Sequence, residues 1–154
     1  MTKKIVINAD FGGFSPSAKA IMRWAKLKGK EMHVVAVIDK RKQYKPDCKY
    51  KELTPEEINN ANKTYFLNHY YITKPLNSDG TIPDGAHWYY RADEEEEYKL
   101  RCDPIFVQVV EELGDEANGS CSTLKIVEIP DDIEWEIEDY DGSEWISEKH
   151  KIWK

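Results

Sequence analysis

The feature that most constrains the fold is a run of β-branched residues that leads directly into a glycine-rich turn. Residues 4–8 (KIVIN) predict a buried strand, and residues 9–14 (ADFGGF) form a loop with two adjacent glycines. Ser15 and Pro16 then match a helix cap followed by proline at the first helical position. The chain therefore opens with a strand, a tight turn and a helix.

The residues that follow extend this pattern to a second strand. Apolar residues recur at helical spacing over 18–25, Gly29 suits the end of a helix, and residues 33–38 are a second apolar run. A strand, a helix and another strand in this order predict a right-handed βαβ unit. A basic segment over 39–51 then reads as a surface loop or arm.

Helix and turn signals mark the rest of the chain. Thr54 with Glu57 forms a capping box, and Asp103-Pro104 opens a helix that Gly114 ends. Further strands are predicted at 65–73, 87–90 and 124–129, and the acidic run at 93–97 is read as a solvated loop or helix start. Strict alternation over 133–138, followed by Asp141-Gly142, predicts a hairpin with one exposed face.

These elements predict an α/β protein with one domain over residues 1–154. We expect a mixed β-sheet containing the βαβ unit, helices packed on that sheet, and a C-terminal β-hairpin. A chain of 154 residues buries roughly 68–70% of its unfolded surface, which is enough for one core.

Charge is distributed unevenly along the chain, whose formal net charge is −7. Residues 1–51 carry 13 Lys+Arg and 4 Asp+Glu, a net +9, whereas the remainder carries −16. Either the basic and acidic faces pack together, within one subunit or between subunits, or the first third builds an anion site. The net negative charge of the whole chain disfavours duplex nucleic acid as a partner, because it repels the phosphate backbone.

Hydropathy and cysteine usage indicate a cytoplasmic protein without a membrane partner. The longest aliphatic run, residues 34–38, is far shorter than the roughly 20 residues of a membrane helix, and residues 1–4 lead into only three apolar residues, which predicts no secretory signal. Cys48, Cys102 and Cys121 are an odd number at spacings that fit neither a disulfide framework nor a zinc site.

The glycine loop is the leading candidate for ligand binding. Glycines let a ligand approach the backbone, and free amides at a helix start favour anions, although a tight turn alone would also need two glycines. Two of the chain's four arginines, Arg91 and Arg101, could reach an anion or could form ion pairs with residues 94–97. The candidate ligand-binding residues are Asn8, Phe11, Gly12, Gly13, Phe14, Ser15, Arg91 and Arg101.

Aromatic residues leave two interpretations open. Phe11 and Phe14 could stack on a base or pack into the core, and so could the aromatics at 88–90. Catalytic motifs are not evident: no GxSxG or HExxH occurs, and the four histidines are scattered. We therefore predict no catalytic residue, no metal site and no cofactor.

Several motifs together resemble a family of small phage and prophage proteins. They comprise KIVIN with GGF, the RxDP and VVEELG motifs over 101–114, and the C-terminal motifs VEIPDD, EWEIE, YDG and ExH over 127–150. The resemblance covers about the first 15 and the last 55 residues. Residues 39–90 look like an insertion specific to this member, and Cys102 stands where the pattern has an acidic residue.

The resemblance implies a function in evading bacterial defence. It suggests a phage protein that sequesters a nucleotide-derived immune signal without turnover, either an ADP-ribose derivative of Thoeris type or a cyclic oligonucleotide of CBASS type. Such a protein would act in the cytoplasm of the bacterial host, and we expect a homo-oligomer because an interface can complete a pocket. Two alternatives remain: inhibition of a host protein through the acidic hairpin, and a nucleotide-processing enzyme.

Overall fold

The computed structural model describes residues 1–11, 13–43, 45–60, 69–86, 94–119 and 122–149. Helices and strands are both well represented, and the prediction of a single α/β domain is confirmed. Short 3₁₀ turns lie at Lys40–Lys42 and Gly114–Ala117. In chain order the other elements are β1 (Thr2–Asn8), α1 (Ala18–Leu27), β2 (His33–Val37), β3 (Tyr50–Glu52), α2 (Pro55–Asn60), β4 (His69–Ile72), α3 (Glu94–Cys102), α4 (Pro104–Leu113), β5 (Leu124–Pro130), β6 (Trp135–Tyr140) and β7 (Ser143–Glu148).

The strands of the described residues form three small sheets instead of one mixed sheet. Strand β1 pairs with β5, β2 lies between β3 and β4, and β6 pairs with β7, each pair being antiparallel. The predicted order of strand, helix and strand is confirmed for β1, α1 and β2, but the parallel pairing of a βαβ unit is wrong. Both edges of β2 are occupied by β3 and β4, so β1 instead pairs along its whole length with β5.

The segment interpreted as an insertion is part of the folded core. It supplies β3 and β4, the two neighbours of β2. Leu53 and Tyr71 from this segment are buried in the larger apolar cluster together with Val34 of β2. Residues 39–51, expected as a loop, contain a 3₁₀ turn and the start of β3. The predicted strand at 87–90 and residues 65–68 of the strand predicted at 65–73 lie outside the described residues, and the described remainder of the latter contains β4.

Strand β1 lies between two apolar clusters. Val6 belongs to the larger cluster, which contains Trp24 of α1 and Phe106 of α4. Ile5 and Ile7, on the opposite face of β1, belong to a second cluster made with β5 and β6. A strand buried on both faces needs a continuous apolar run, which explains why residues 5–7 do not alternate.

Helix caps agree with the sequence at four of five positions, among them Gly29, which follows the C-cap of α1 with φ +70°. Asp103 accepts a hydrogen bond from the Ile105 amide at 2.8 Å, with Pro104 next, and Gly114 follows the end of α4. The reciprocal hydrogen bonds of the predicted capping box form between residues 54 and 57. Helix α1 is the exception: its cap is Ser17, whose hydroxyl accepts from the Ala20 amide at 3.1 Å, not Ser15.

Ion pairs connect the basic first third to the acidic remainder. They include Lys4–Glu111, Lys19–Glu116, Arg23–Glu112 and Lys28–Asp103, with N···O distances of 2.8–3.2 Å. The interpretation that basic and acidic faces pack together is therefore confirmed within one subunit. None of the helices in the described ranges is long and apolar enough to cross a membrane.

A pH-dependent contribution to stability comes from His33. Burial lowers the pKa of His33, but contacts from Glu31 and Glu52 to its two ring nitrogens outweigh this effect and raise the pKa above 6.5. A group with a raised pKa stabilises the folded state below its unfolded pKa, and this stabilisation is lost as pH rises through the folded value.

We therefore predict that His33→Gln reduces the free energy of unfolding most at about pH 5.5 and least at about pH 8.5, because wild type loses this advantage on titration. Urea unfolding of both proteins across this range measures the difference. Parallel pH profiles for the two proteins would contradict the assignment.

Candidate functional site

The glycine loop is tied to the hairpin turn by Asn8. Its side-chain nitrogen donates to the carbonyl oxygens of Asp10 and Gly142 at 2.6 and 2.8 Å. Its side-chain oxygen accepts from the Ser122 hydroxyl and the Thr123 amide at 3.2 and 2.9 Å. The side chain is fully buried. Asn8 therefore holds the loop and the hairpin turn together, and its amide group has no open side for a ligand.

The rest of the loop differs from the expected anion cradle. Gly13 has φ +100°, a conformation that favours glycine, and the Ser15 carbonyl accepts from the Gly119 amide at 2.7 Å. Helix α1 starts beyond Pro16, and its Ser17 cap donates to the Glu116 carbonyl at 2.7 Å, so the 3₁₀ turn covers this helix start. The expectation that the loop leads directly into the first amides of a helix capped by Ser15 is wrong. Contacts with the 3₁₀ turn place the start of α1 two residues later, at the Ser17 cap.

The two loop phenylalanines occupy different environments. Phe11 is 59% exposed, whereas Phe14 is half-buried and packs edge-to-face against Phe106, with ring centroids 6.4 Å apart. The Arg101 guanidinium carbon lies 3.9 Å from the centre of the Phe14 ring. Phe14 thus joins the core, as one of the two interpretations expected. Gly12 and Arg91 lie outside the described residues.

Arg101 is a buried ion-pair residue on α3. Its guanidinium donates to both carboxylate oxygens of Glu144 at 2.7 and 2.8 Å, to Glu97 at 3.1 Å and to the Val6 carbonyl at 3.3 Å. The expected ion pair with the acidic run is confirmed at Glu97. Sequence reasoning missed Glu144. The sequence signal that could have found it is its position two residues before Ile146, which puts a charged residue on the inward, apolar face of the hairpin.

Glu144 is held from two directions. In addition to Arg101, its carboxylate accepts the backbone amide of Asn8 at 2.7 Å, and its side chain is only 9% exposed. Bidentate, charge-assisted hydrogen bonds are among the stronger polar contacts in proteins. This arrangement joins β7 to the end of β1 and to α3.

A cavity of about 590 Å³ lies between α3 and the hairpin. Tyr98 stacks on Trp135 with ring centroids 4.9 Å apart and 9° between the ring planes, and Lys3 lies 5.4 Å from the Trp135 ring. Burial raises the pKa of the Tyr98 hydroxyl, which therefore stays protonated at neutral pH. The lining residues are Phe14, Glu97, Tyr98, Arg101, Trp135, Glu136, Ile137, Asp139, Glu144 and Lys149.

This cavity combines an aromatic wall with many hydrogen-bond acceptors. Of the sequence-predicted site residues, the structure brings Phe14 and Arg101 into its lining. Sequence reasoning missed Tyr98 and placed Trp135 only on the apolar face of a strand. Their stacking joins α3 to β6, and no local periodicity predicts such a contact.

A second cavity among the described residues contains a cysteine. It has a volume of about 370 Å³ and is bordered by Cys102, whose thiol pKa is raised by burial. A thiol with a raised pKa is a poor nucleophile at neutral pH. The described part of the chain holds no cluster of three or more His, Cys, Asp and Glu side chains suited to a metal ion.

Comparisons with family models, with curated proteins and with solved structures find no match to this chain.

The structure predicts that Arg101→Ala destabilises the protein by about 3–5 kcal/mol, because the buried Glu144 carboxylate loses its partner. Urea unfolding followed by circular dichroism measures the effect. The control is Arg23→Ala, which removes a solvent-exposed ion pair and should leave stability nearly unchanged. Equal effects of the two substitutions would contradict the role of Arg101.

Proposed function

We propose that this protein binds a nucleotide-derived small molecule in the cavity between α3 and the hairpin and sequesters it without turnover. The observation that carries the proposal is the stacked pair Tyr98–Trp135 on the wall of a cavity of about 590 Å³. Small-molecule sites usually occupy about 300–1,000 Å³ and combine aromatic walls with a few polar groups.

The roles of the lining residues follow from their contacts. Tyr98 is 42% exposed and offers a ring edge or face to a base, whereas Trp135 behind it is 8% exposed. Stacking on an aromatic side chain contributes about 1–3 kcal/mol per base. The guanidinium of Arg101 is paired with Glu97 and Glu144, so its role is to hold the wall of the cavity in place. The cation available for a phosphate contact is Lys149, an exposed residue of the described lining.

Sequestration is favoured over catalysis by the composition of the lining. Among the described lining residues there is no Ser, Thr, Cys or His, which are common nucleophiles or general bases. An enzyme at this site would have to use a carboxylate, Tyr98 or Lys149 as its base. Chemical conversion of a nucleotide by the protein would distinguish an enzyme from a protein that only sequesters its ligand.

The motif resemblance to phage and prophage proteins supports a biological role for such binding. A phage protein that removes a nucleotide-derived immune signal would protect the phage inside the bacterial host cytoplasm. The proposal includes a homo-oligomer, because a second copy of the chain at this cavity would enclose the ligand further.

A second candidate function uses the outer face of the hairpin. Tyr140 is 73% exposed and Trp145 is 46% exposed, and both lie on the same face as Glu136 and Glu138. Exposed aromatics among acidic residues suit a basic host protein, whose binding would weaken strongly with added salt.

Direct release of a bound ligand tests the leading proposal. The purified protein is incubated with ADP-ribose derivatives and cyclic dinucleotides, freed of unbound compound, heat-denatured and analysed by chromatography. Intact ligand in stoichiometric amount is the expected result. A chemically altered compound in excess over protein would indicate an enzyme, and no retained compound would contradict both and leave the protein-partner function.

Substitution of the aromatic wall gives a second test. We predict that Tyr98→Ala raises the Kd of the retained ligand about 5- to 150-fold, the equivalent of one lost stacking contact. The matched control is Tyr140→Ala, which removes an exposed tyrosine from the other face of the hairpin and should leave the Kd unchanged. Isothermal titration calorimetry measures both. A Kd that responds equally to both substitutions would argue against this cavity.

A further inference from the structure

We infer that the bound molecule presents free vicinal hydroxyls, such as those of a ribose, to the carboxylates of this cavity and carries its phosphates toward the solvent. The inference rests on the proposed function and narrows the class of ligand.

The charges of the lining disfavour a phosphate deep in the cavity. The guanidinium of Arg101 is bound by Glu97 and Glu144, so its positive charge is compensated within the wall. Glu136 and Asp139 are exposed lining residues, and the remaining cation is Lys149. A phosphate group beside Asp139 on the inward face would be repelled, because like charges a few ångströms apart interact unfavourably even near a protein surface.

The same carboxylates suit hydroxyl donors. The hairpin register places Asp139 directly opposite Glu144, and alternation along β6 puts Asp139 on the same inward face as Ile137 and Trp135. A carboxylate accepts hydrogen bonds through both oxygens and can bind two adjacent hydroxyls at once. Acidic side chains bind ribose hydroxyls in this way in dinucleotide-binding proteins.

The position of the aromatic pair completes the arrangement. Tyr98 of α3 stacks on Trp135, which precedes Asp139 by four residues on the same inward face of β6. A base stacked on Tyr98 would direct its attached sugar along this face toward Asp139, and the phosphates would then point out of the cavity. Lys149 lies at the other end of the hairpin, where its backbone amide donates to the Glu134 carbonyl. A nucleotide whose sugar hydroxyls are locked in 3′,5′-phosphodiesters has no free vicinal diol to offer to Asp139.

Two probes and two variants test this inference. ADP-ribose carries free vicinal diols, whereas 3′,5′-linked cyclic di-AMP has none. By calorimetry at 0.15 M salt, ADP-ribose should bind at least about tenfold more tightly than cyclic di-AMP, and Asp139→Asn should weaken ADP-ribose binding about tenfold. The control Glu138→Gln changes the neighbouring carboxylate, which accepts from Trp145 on the outer face, and should have no effect.

The outcomes separate this inference from the proposed function. Tighter binding of cyclic di-AMP, with a Kd that rises in Tyr98→Ala, would overturn the diol inference and leave the cavity as the binding site. Unchanged ADP-ribose affinity in Asp139→Asn would also overturn it. If neither probe binds, the inference and the proposed function both fail. Equal melting temperatures of wild type and Asp139→Asn would establish that a lost affinity is not a loss of fold.

Discussion

One buried ion pair positions the candidate site. Glu144 on β7 receives two hydrogen bonds from Arg101 on α3 and one from the Asn8 amide at the end of β1. Burying two charges is costly, and good geometry with additional hydrogen bonds is what offsets that cost. Because three elements meet at one carboxylate, this contact sets the distance between α3 and the hairpin. That distance creates the cavity, so the binding proposal depends on the pair even though neither charge is assigned to the ligand.

The surrounding architecture follows from the central position of β1. Its two faces contribute to different clusters, one formed with the helices and the other with the hairpin. The hairpin is therefore attached by an apolar inner face and by Glu144, while its outer face stays exposed. Asn8 adds a second link, since its side chain joins the glycine loop to the carbonyl of Gly142 in the hairpin turn. The glycine loop thus contributes to the site mainly by supporting its walls.

Local signals in the sequence predicted local structure well. The hairpin turn at Asp141-Gly142, the capping box at Thr54 and the cap at Asp103 all depend on residues within a few positions of each other, and all form. Strand partners were not predictable in this way, because an apolar run does not specify its neighbour. The start of α1 shows the same limit: Ser15 and Ser17 are both good caps, and the contact of Ser17 with the 3₁₀ turn decides between them. Arg101 is a predicted site residue, but its partner Glu144 lies 43 residues away in the sequence, too far for a local pattern to indicate the pair.

The most direct test of this account is native-state hydrogen exchange of wild type and Glu144→Gln, resolved by residue. Faster exchange of the hydrogen-bonded amides of β6 and β7 is expected in the variant, because the hairpin loses its charged link to α3 and β1 and opens more often. Exchange in α1 and β2, which pack in the other cluster, should stay unchanged. Unchanged exchange in the hairpin, or an equal increase throughout the chain, would contradict the claim that Glu144 holds the hairpin in place.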